Sequence, residues 1–345
     1  MKNALKVSVA ALAIAGVFSA TGAIAQQNRD TIQIAGSSTV LPFASIVAEE
    51  FSAANPQFKT PVVASGGSGG GLRQFCEGVG PATIDIANAS RRIRAGEVET
   101  CNKNGVNDIR EVRIGYDGIV FAVPLEKGDF ALEPVHIYKA IADKLYVDGK
   151  WVANPNKTWK DVDASLPDQP IVLAIPAPNH GTREVFEERV IAPGFKASNP
   201  PADAPKEAQS ALRQDVVVEI AGDYTETLAR LKSDPNTVGV FGLSFYDQNR
   251  DSLKVATVSG VEPTLETIAK GEYPVSRPLF FYVKGEHVGV IPGINEYVEF
   301  FLSDDVAGEG GRLESAGLIP APKDETAAVL EAYKAGTKLT ADDVK

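Results

Sequence analysis

Apolar residues along this chain fall in short β-rich runs that alternate with stretches of helical spacing. Thr31 to Ala35 predicts a strand that runs through Gly36-Ser37-Ser38-Thr39 into Val40 to Phe51, where apolar positions recur three and four apart. Thr60 to Ala64 predicts a second strand, followed by Ser65-Gly66-Gly67-Ser68-Gly69-Gly70-Gly71 and a helix over Leu72 to Glu77. A third strand, Ile84 to Asn88, ends in Ala89-Ser90-Arg91-Arg92 ahead of a charged helix around Gly96 to Asn102. Three strand-turn-helix units thus put small hydroxyl residues into their turns.

Farther on, Gly118 to Pro124 and Pro278 to Val283 are near-continuous apolar strands. Between them lie a helix near Val135 to Ala142, a strand Ile171 to Ile175, a helix after Gly181, a strand Val216 to Ile220, a helix Thr225 to Lys232 and a strand Val238 to Phe241. Helices around Ile294 to Leu302 and Ala327 to Tyr333 complete the pattern, and Asn199 to Pro205 reads as a surface loop. Parallel neighbours need a crossover, usually a helix, so the alternation predicts the α/β class. In such sheets ligands bind beyond the carboxyl ends of the strands, which is where the three hydroxyl-rich turns fall.

The first 25 residues stand apart. Lys2 and Lys6 precede an apolar stretch, Val7 to Ala20, and Ala23-Ile24-Ala25 offers small residues to a signal peptidase, so residues 1–25 read as a cleaved signal peptide. The apolar stretch is shorter than the ~20 residues of a spanning helix, so stable membrane insertion is not expected. In an oxidising compartment the two cysteines, Cys76 and Cys101, are most simply a disulfide. The chain has 345 residues, length for two lobes, and its 45 acids against 34 bases give a formal charge of −11. No Lys/Arg run appears that would serve nucleic acid, and any anion site must work through short-range hydrogen bonds and local dipoles.

Such a site has candidates. Backbone N–H groups and hydroxyls at helix starts hold oxyanions, and Ser38, Thr39, Ser68 and Ser90 can supply them from the first half of the chain. Glycines at 67 and 69–71 allow close backbone approach. The second half offers Asn179-His180-Gly181-Thr182-Arg183-Glu184 before an apolar helix, with Arg183 and Arg91 as cations. Singly, each Ser or Thr is an ordinary helix cap; four at equivalent loop ends point to a shared ligand. Gly66-Gly67-Ser68-Gly69-Gly70 also satisfies the G-x-S-x-G pattern of hydrolases, which keeps a Ser68 hydrolase as an alternative. No Gly-Lys-Ser/Thr closes the glycine run, so a nucleotide loop is not indicated. His136, His180 and His287 are too scattered for a metal site, and no cofactor is expected.

Several segments together resemble the periplasmic phosphate-binding proteins of ABC transporters. These are Ala35 to Val40, Ser65 to Gln74, Asp85 to Arg91, Trp159 to Val162, His180 to Arg183 and Val238 to Gly242. The resemblance implies a two-lobed type II periplasmic-binding-protein fold, each lobe a mixed, mostly parallel sheet flanked by helices, with the ligand in the cleft. One lobe would comprise residues 26–121 plus 279–345 and the other 122–278, hinged around 119–123 and 279–283. It implies a periplasmic monomer that catalyses no reaction and delivers inorganic phosphate to a membrane permease. Ser38, Thr39, Val40, Ser68, Ser90, Arg91, His180, Gly181, Thr182 and Arg183 would form the site. The chain departs from the family where members carry a proton-accepting aspartate, having Ser90-Arg91, and where they carry Ser before Gly-Thr, having His180. A family arginine is missing too, Pro176 standing near its place. Arg183 or Arg91 would then supply the charge and Glu184 or Asp117 the acceptor; sulfate and arsenate remain alternative ligands.

Overall fold

A computed structural model of the chain describes residues 29–178, 181–221 and 224–345. The signal-peptide segment therefore lies outside the described residues, as do Asn179 and His180. Among the described residues, no helix is long and apolar enough to cross a membrane.

The predicted units form in order. Strand β1 (Gln33–Gly36) leads into helix α1 (Leu41–Ala54), β2 (Val62–Ser65) into α2 (Gly67–Phe75), and β3 (Ile86–Ala89) into α3 (Ala95–Lys103). In α1, Phe43, Val47 and Phe51 recur four apart and are buried; each such side chain contributes about 1.5–3 kcal/mol. The start of α2 differs from the sequence expectation, falling at Gly67 rather than Leu72. Glycine disfavours helix interiors by about 1 kcal/mol, but contact dictates it here. A Cβ on Gly71 would collide with Gly36 Cα and Ala35 O of β1.

Among the described residues the sheet has nine strands, and one of them is shared by both halves of the molecule. β1 lies between β2 and β3, parallel to each. Strand Ser276–Lys284 then pairs antiparallel with β3 and with the long strand β4 (Ile109–Pro124). The far end of β4 pairs antiparallel with Val238–Gly242 and Leu253–Val255, and Leu173–Pro176 follows in parallel, flanked by Val217–Ile220. Parallel outer strands thus surround an antiparallel centre. The apolar run predicted at residues 118–124 is only the second part of a 16-residue strand, since Arg110, Glu111 and Arg113 break its hydrophobic pattern while its backbone stays paired.

Each side has its own core. One gathers Ile119 to Val123 with Phe186, Leu173, Phe241 and Trp159; another gathers Ile34, Phe43, Phe51, Leu279, Phe281 and Phe301. A smaller one surrounds the Cys76–Cys101 disulfide, which joins the end of α2 to α3 across 25 residues. In the chain-entropy account a loop of that size stabilises the fold by about 3.5 kcal/mol. The molecule is therefore a two-lobed α/β fold with separate cores joined through β4 and Ser276–Lys284.

Candidate functional site

The three turns predicted to share a ligand lie at the carboxyl edge of β1, β2 and β3. Ser37, buried at the end of β1, accepts from Thr39 N at 3.2 Å and Val40 N at 3.4 Å. It shapes the turn, with Val40 as the cap residue of α1. Ser68 in the first turn of α2 and Ser90 after β3 are joined: Ser90 N donates to Ser68 Oγ at 3.0 Å and the two hydroxyls lie 3.0 Å apart. Among the described residues no histidine hydrogen-bonds Ser68. His287 Nδ1 is bound to Asp85 at 2.6 Å, its Nε2 accepts from Gly80 N, and His136 accepts from Glu133 N.

The cations predicted for the site are engaged elsewhere. Arg91 donates to both carboxylate oxygens of Glu97, at 2.9 and 2.7 Å, which raises its pKa. Arg183 donates through Nε to Glu187 and through Nη1 to Pro176 O and Glu219, all on its own lobe. These contacts fix both guanidinium groups as structural braces rather than as open forks.

A different arginine faces the turns. Arg277 lies opposite Asp117 in the register between Ser276–Lys284 and β4, and is 2% exposed. Its Nη2 donates to Thr39 Oγ1 at 2.9 Å and to Glu184 Oε2 at 3.3 Å, and its Nη1 donates to Glu188 Oε2 at 3.0 Å. Arg277 Nε lies 3.5 Å from Asp117 Oδ2, near enough for attraction but without a hydrogen bond. Burial pushes the Asp117 carboxyl above the usual carboxylate range, against the pull of Arg277. Sequence reasoning missed Arg277. The available signal was a lone cation, Ser276-Arg277-Pro278, at the head of an apolar strand.

From the second lobe, helix Gly181–Phe186 brings Thr182, whose hydroxyl lies 2.6 Å from the Tyr224 hydroxyl. Burial holds that phenol protonated. Thr182 and Tyr224 face Ser38, Thr39 and Asp117 across a cleft of about 550 Å³, so the turn after β1, strand β4 and the second lobe share one cavity. The cavity offers hydroxyls, the start of α1 and the part-buried Asp117 carboxylate, with the buried Arg277 guanidinium bonded to Thr39 at its wall, the donor and acceptor set that an oxyanion carrying a proton requires. Among the described residues, no group of three or more His, Cys, Asp or Glu side chains is placed to hold a metal ion.

Comparison with known proteins places the chain in a family. Residues 21–305 match the family model described as a PBP superfamily domain. The chain is 30% identical over 346 residues to protein SphX of Synechococcus elongatus, covering 98% of this chain and 90% of that protein. It is 31% identical over 295 residues to the phosphate-binding protein PstS of Staphylococcus epidermidis, covering 84% and 78%. A possible phosphate binding protein from Planctomyces limnophilus superposes with a TM-score of 0.68 at 27% identity, over 90% of this chain and all of that one. Together with the two-lobed fold and its interlobe cleft, these matches identify the chain as a member of the PBP superfamily, in the family of PstS phosphate-binding proteins.

Proposed function

We propose that this protein is a periplasmic receptor that encloses inorganic phosphate between its lobes and delivers it to the membrane permease of an ABC importer, without catalysing a reaction. The lobes are residues 26–121 with 279–345, and 122–278, in the chain exported by cleavage after residue 25. The observation that carries the reading is the buried Arg277, hydrogen-bonded to Thr39 where the turns of one lobe meet Thr182 of the other.

Arg277 replaces the arginine that the family carries near the position of Pro176, and Asp117 replaces the acceptor lost at Ser90. A carboxylate acceptor discriminates because HPO₄²⁻ donates a hydrogen bond that sulfate lacks. Ser38, Thr39, Val40 N–H, Ser68, Ser90, Gly181 N–H and Thr182 supply the remaining contacts as the lobes close about β4 and Ser276–Lys284, and closure strengthens every bond by removing water. Arg91 and Arg183 follow Ser90 and Thr182 in the chain, braced by Glu97, Glu187 and Glu219.

Isothermal titration of the exhaustively dialysed protein with phosphate, with sulfate and arsenate as competitors from pH 5 to 8.5, tests the reading. Phosphate should bind tightly, arsenate should compete, and sulfate should not displace it. Sulfate binding as well as phosphate would show that Asp117 does not replace the acceptor lost at Ser90 and would make the protein a receptor for another oxyanion. Covalent labelling of Ser68 with turnover of an ester would instead identify a hydrolase.

A further inference from the structure

Glu184 makes the bonds that an external anion would make. Its Oε2 accepts the Thr39 hydroxyl at 3.0 Å and meets Arg277 Nη2 at 3.3 Å, while the same Nη2 donates to Thr39 Oγ1 at 2.9 Å. The three residues come from three places: the turn after β1, helix Gly181–Phe186 of the opposite lobe, and the hinge strand Ser276–Lys284. The triangle therefore spans the cleft. Two of its members are buried, Thr39 at 6% and Arg277 at 2% exposed, while the Glu184 side chain is 36% exposed. Water screens the exposed side of Glu184, so the tie rests on the buried donors of Thr39 and Arg277.

A carboxylate and a phosphate present the same face to these donors, two anionic oxygens on one centre. Both cannot hold the Thr39 hydroxyl proton and the Arg277 Nη2 arm at once. Glu188 provides the internal comparison: its carboxylate pairs with Arg277 through Nη1 at 3.0 Å, without a hydrogen bond to Thr39.

We infer that Glu184 is a built-in competitor anion, which ties the lobes together through Thr39 and Arg277 and must be displaced before an external oxyanion can take those donors. The identity of the displacing ligand rests on the phosphate reading above; the tie between the lobes does not. Affinity for the external anion is then lowered by the fraction of molecules in which Glu184 occupies its place. Removing a hydrogen bond to a charged group corresponds to about tenfold or more in that balance.

The test compares the dialysed wild-type chain with Glu184→Gln, Glu184→Ala and Glu188→Gln, after circular dichroism confirms that each folds. Phosphate titration should give about tenfold tighter binding for both Glu184 variants and a smaller gain for Glu188→Gln. Small-angle X-ray scattering of the same samples in phosphate-free buffer should give a larger radius of gyration for the Glu184 variants than for wild type. Equal or weaker phosphate binding by the Glu184 variants overturns the competition, and an equal gain in Glu188→Gln reduces it to general charge repulsion, which also overturns it. If wild type binds no phosphate, the transport reading fails, and scattering alone decides the tie: unchanged radii overturn it.

Discussion

Replacing Arg277 with Gln separates the hinge arginine from every other cation near the cleft. The substitution removes one charge-assisted contact to the anion, about 1.5–3 kcal/mol. It also leaves Asp117, Glu184 and Glu188 without their shared counter-charge. Unit charges 4 Å apart interact by about 4 kcal/mol at an effective dielectric of 20, but Glu184 and Glu188 are 36% and 54% exposed, so water screens most of their share to about 1 kcal/mol. Asp117, 15% exposed, responds by taking up a proton rather than by bearing the full repulsion. The sum is about 2.5–4 kcal/mol, a loss of roughly 70- to 900-fold in phosphate affinity. Arg277→Lys keeps the charge but replaces the fork by a point donor that cannot serve both Thr39 and Glu188, and should lose about tenfold. Isothermal titration at neutral pH, with thermal melting to verify folding, measures both. Arg277→Gln binding within about threefold of wild type would refute the assignment of the charge to the hinge.

Other perturbations isolate neighbouring parts. Arg183→Ala removes bonds to Pro176 O, Glu187 and Glu219 within one lobe; it should lower stability by about 1–3 kcal/mol in denaturant melts while phosphate affinity falls far less than in Arg277→Gln. Asp117→Asn tests the acceptor: phosphate should lose its advantage over sulfate, and the weakening of phosphate binding on acidification should lose the component that titrates above the usual carboxylate range. Because the folded pKa of Asp117 is raised, its contribution to stability is present at low pH and lost as pH rises through the folded value. Asp117→Asn should therefore melt higher than wild type at neutral pH, and an unchanged or lower melting temperature would argue against an ionised, buried Asp117. Gly71→Ala forces a Cβ into Gly36 Cα and Ala35 O, so α2 must shift from β1; a loss of about 1–3 kcal/mol is expected, with weakened anion binding because Ser68 and Ser90 are displaced with it.

The sequence was most informative where structure is local. Alternating apolar runs located β1, β2, β3 and their helices to within a few residues, because strand and helix periodicities are set by nearest neighbours along the chain. The turns at Ser38-Thr39, Ser68 and Ser90 were legible for the same reason: each lies between two strong periodic segments. Local propensity failed at Gly67, where α2 begins inside a glycine run. There, contact between α2 and β1 outweighs helix propensity, and that contact joins residues 36 and 71.

The charge at the site was not local at all. Arg183 and Arg91 sit in the motifs, but their guanidinium groups are captured by Glu219 and Glu97, and which carboxylate lies within reach depends on how strands and helices pack. Arg277 reaches Thr39 across 238 residues of chain because the register of two hinge strands sets it opposite Asp117 and turns it toward β1. The sequence by itself determined the α/β class, the pairing of the only two cysteines and the hydroxyl-rich turns, all of which follow from short-range pattern and residue chemistry. Only the tertiary structure decided which arginine meets the hydroxyl turns and which carboxylates face it, since hydrogen bonds between distant segments are fixed by strand register and lobe packing.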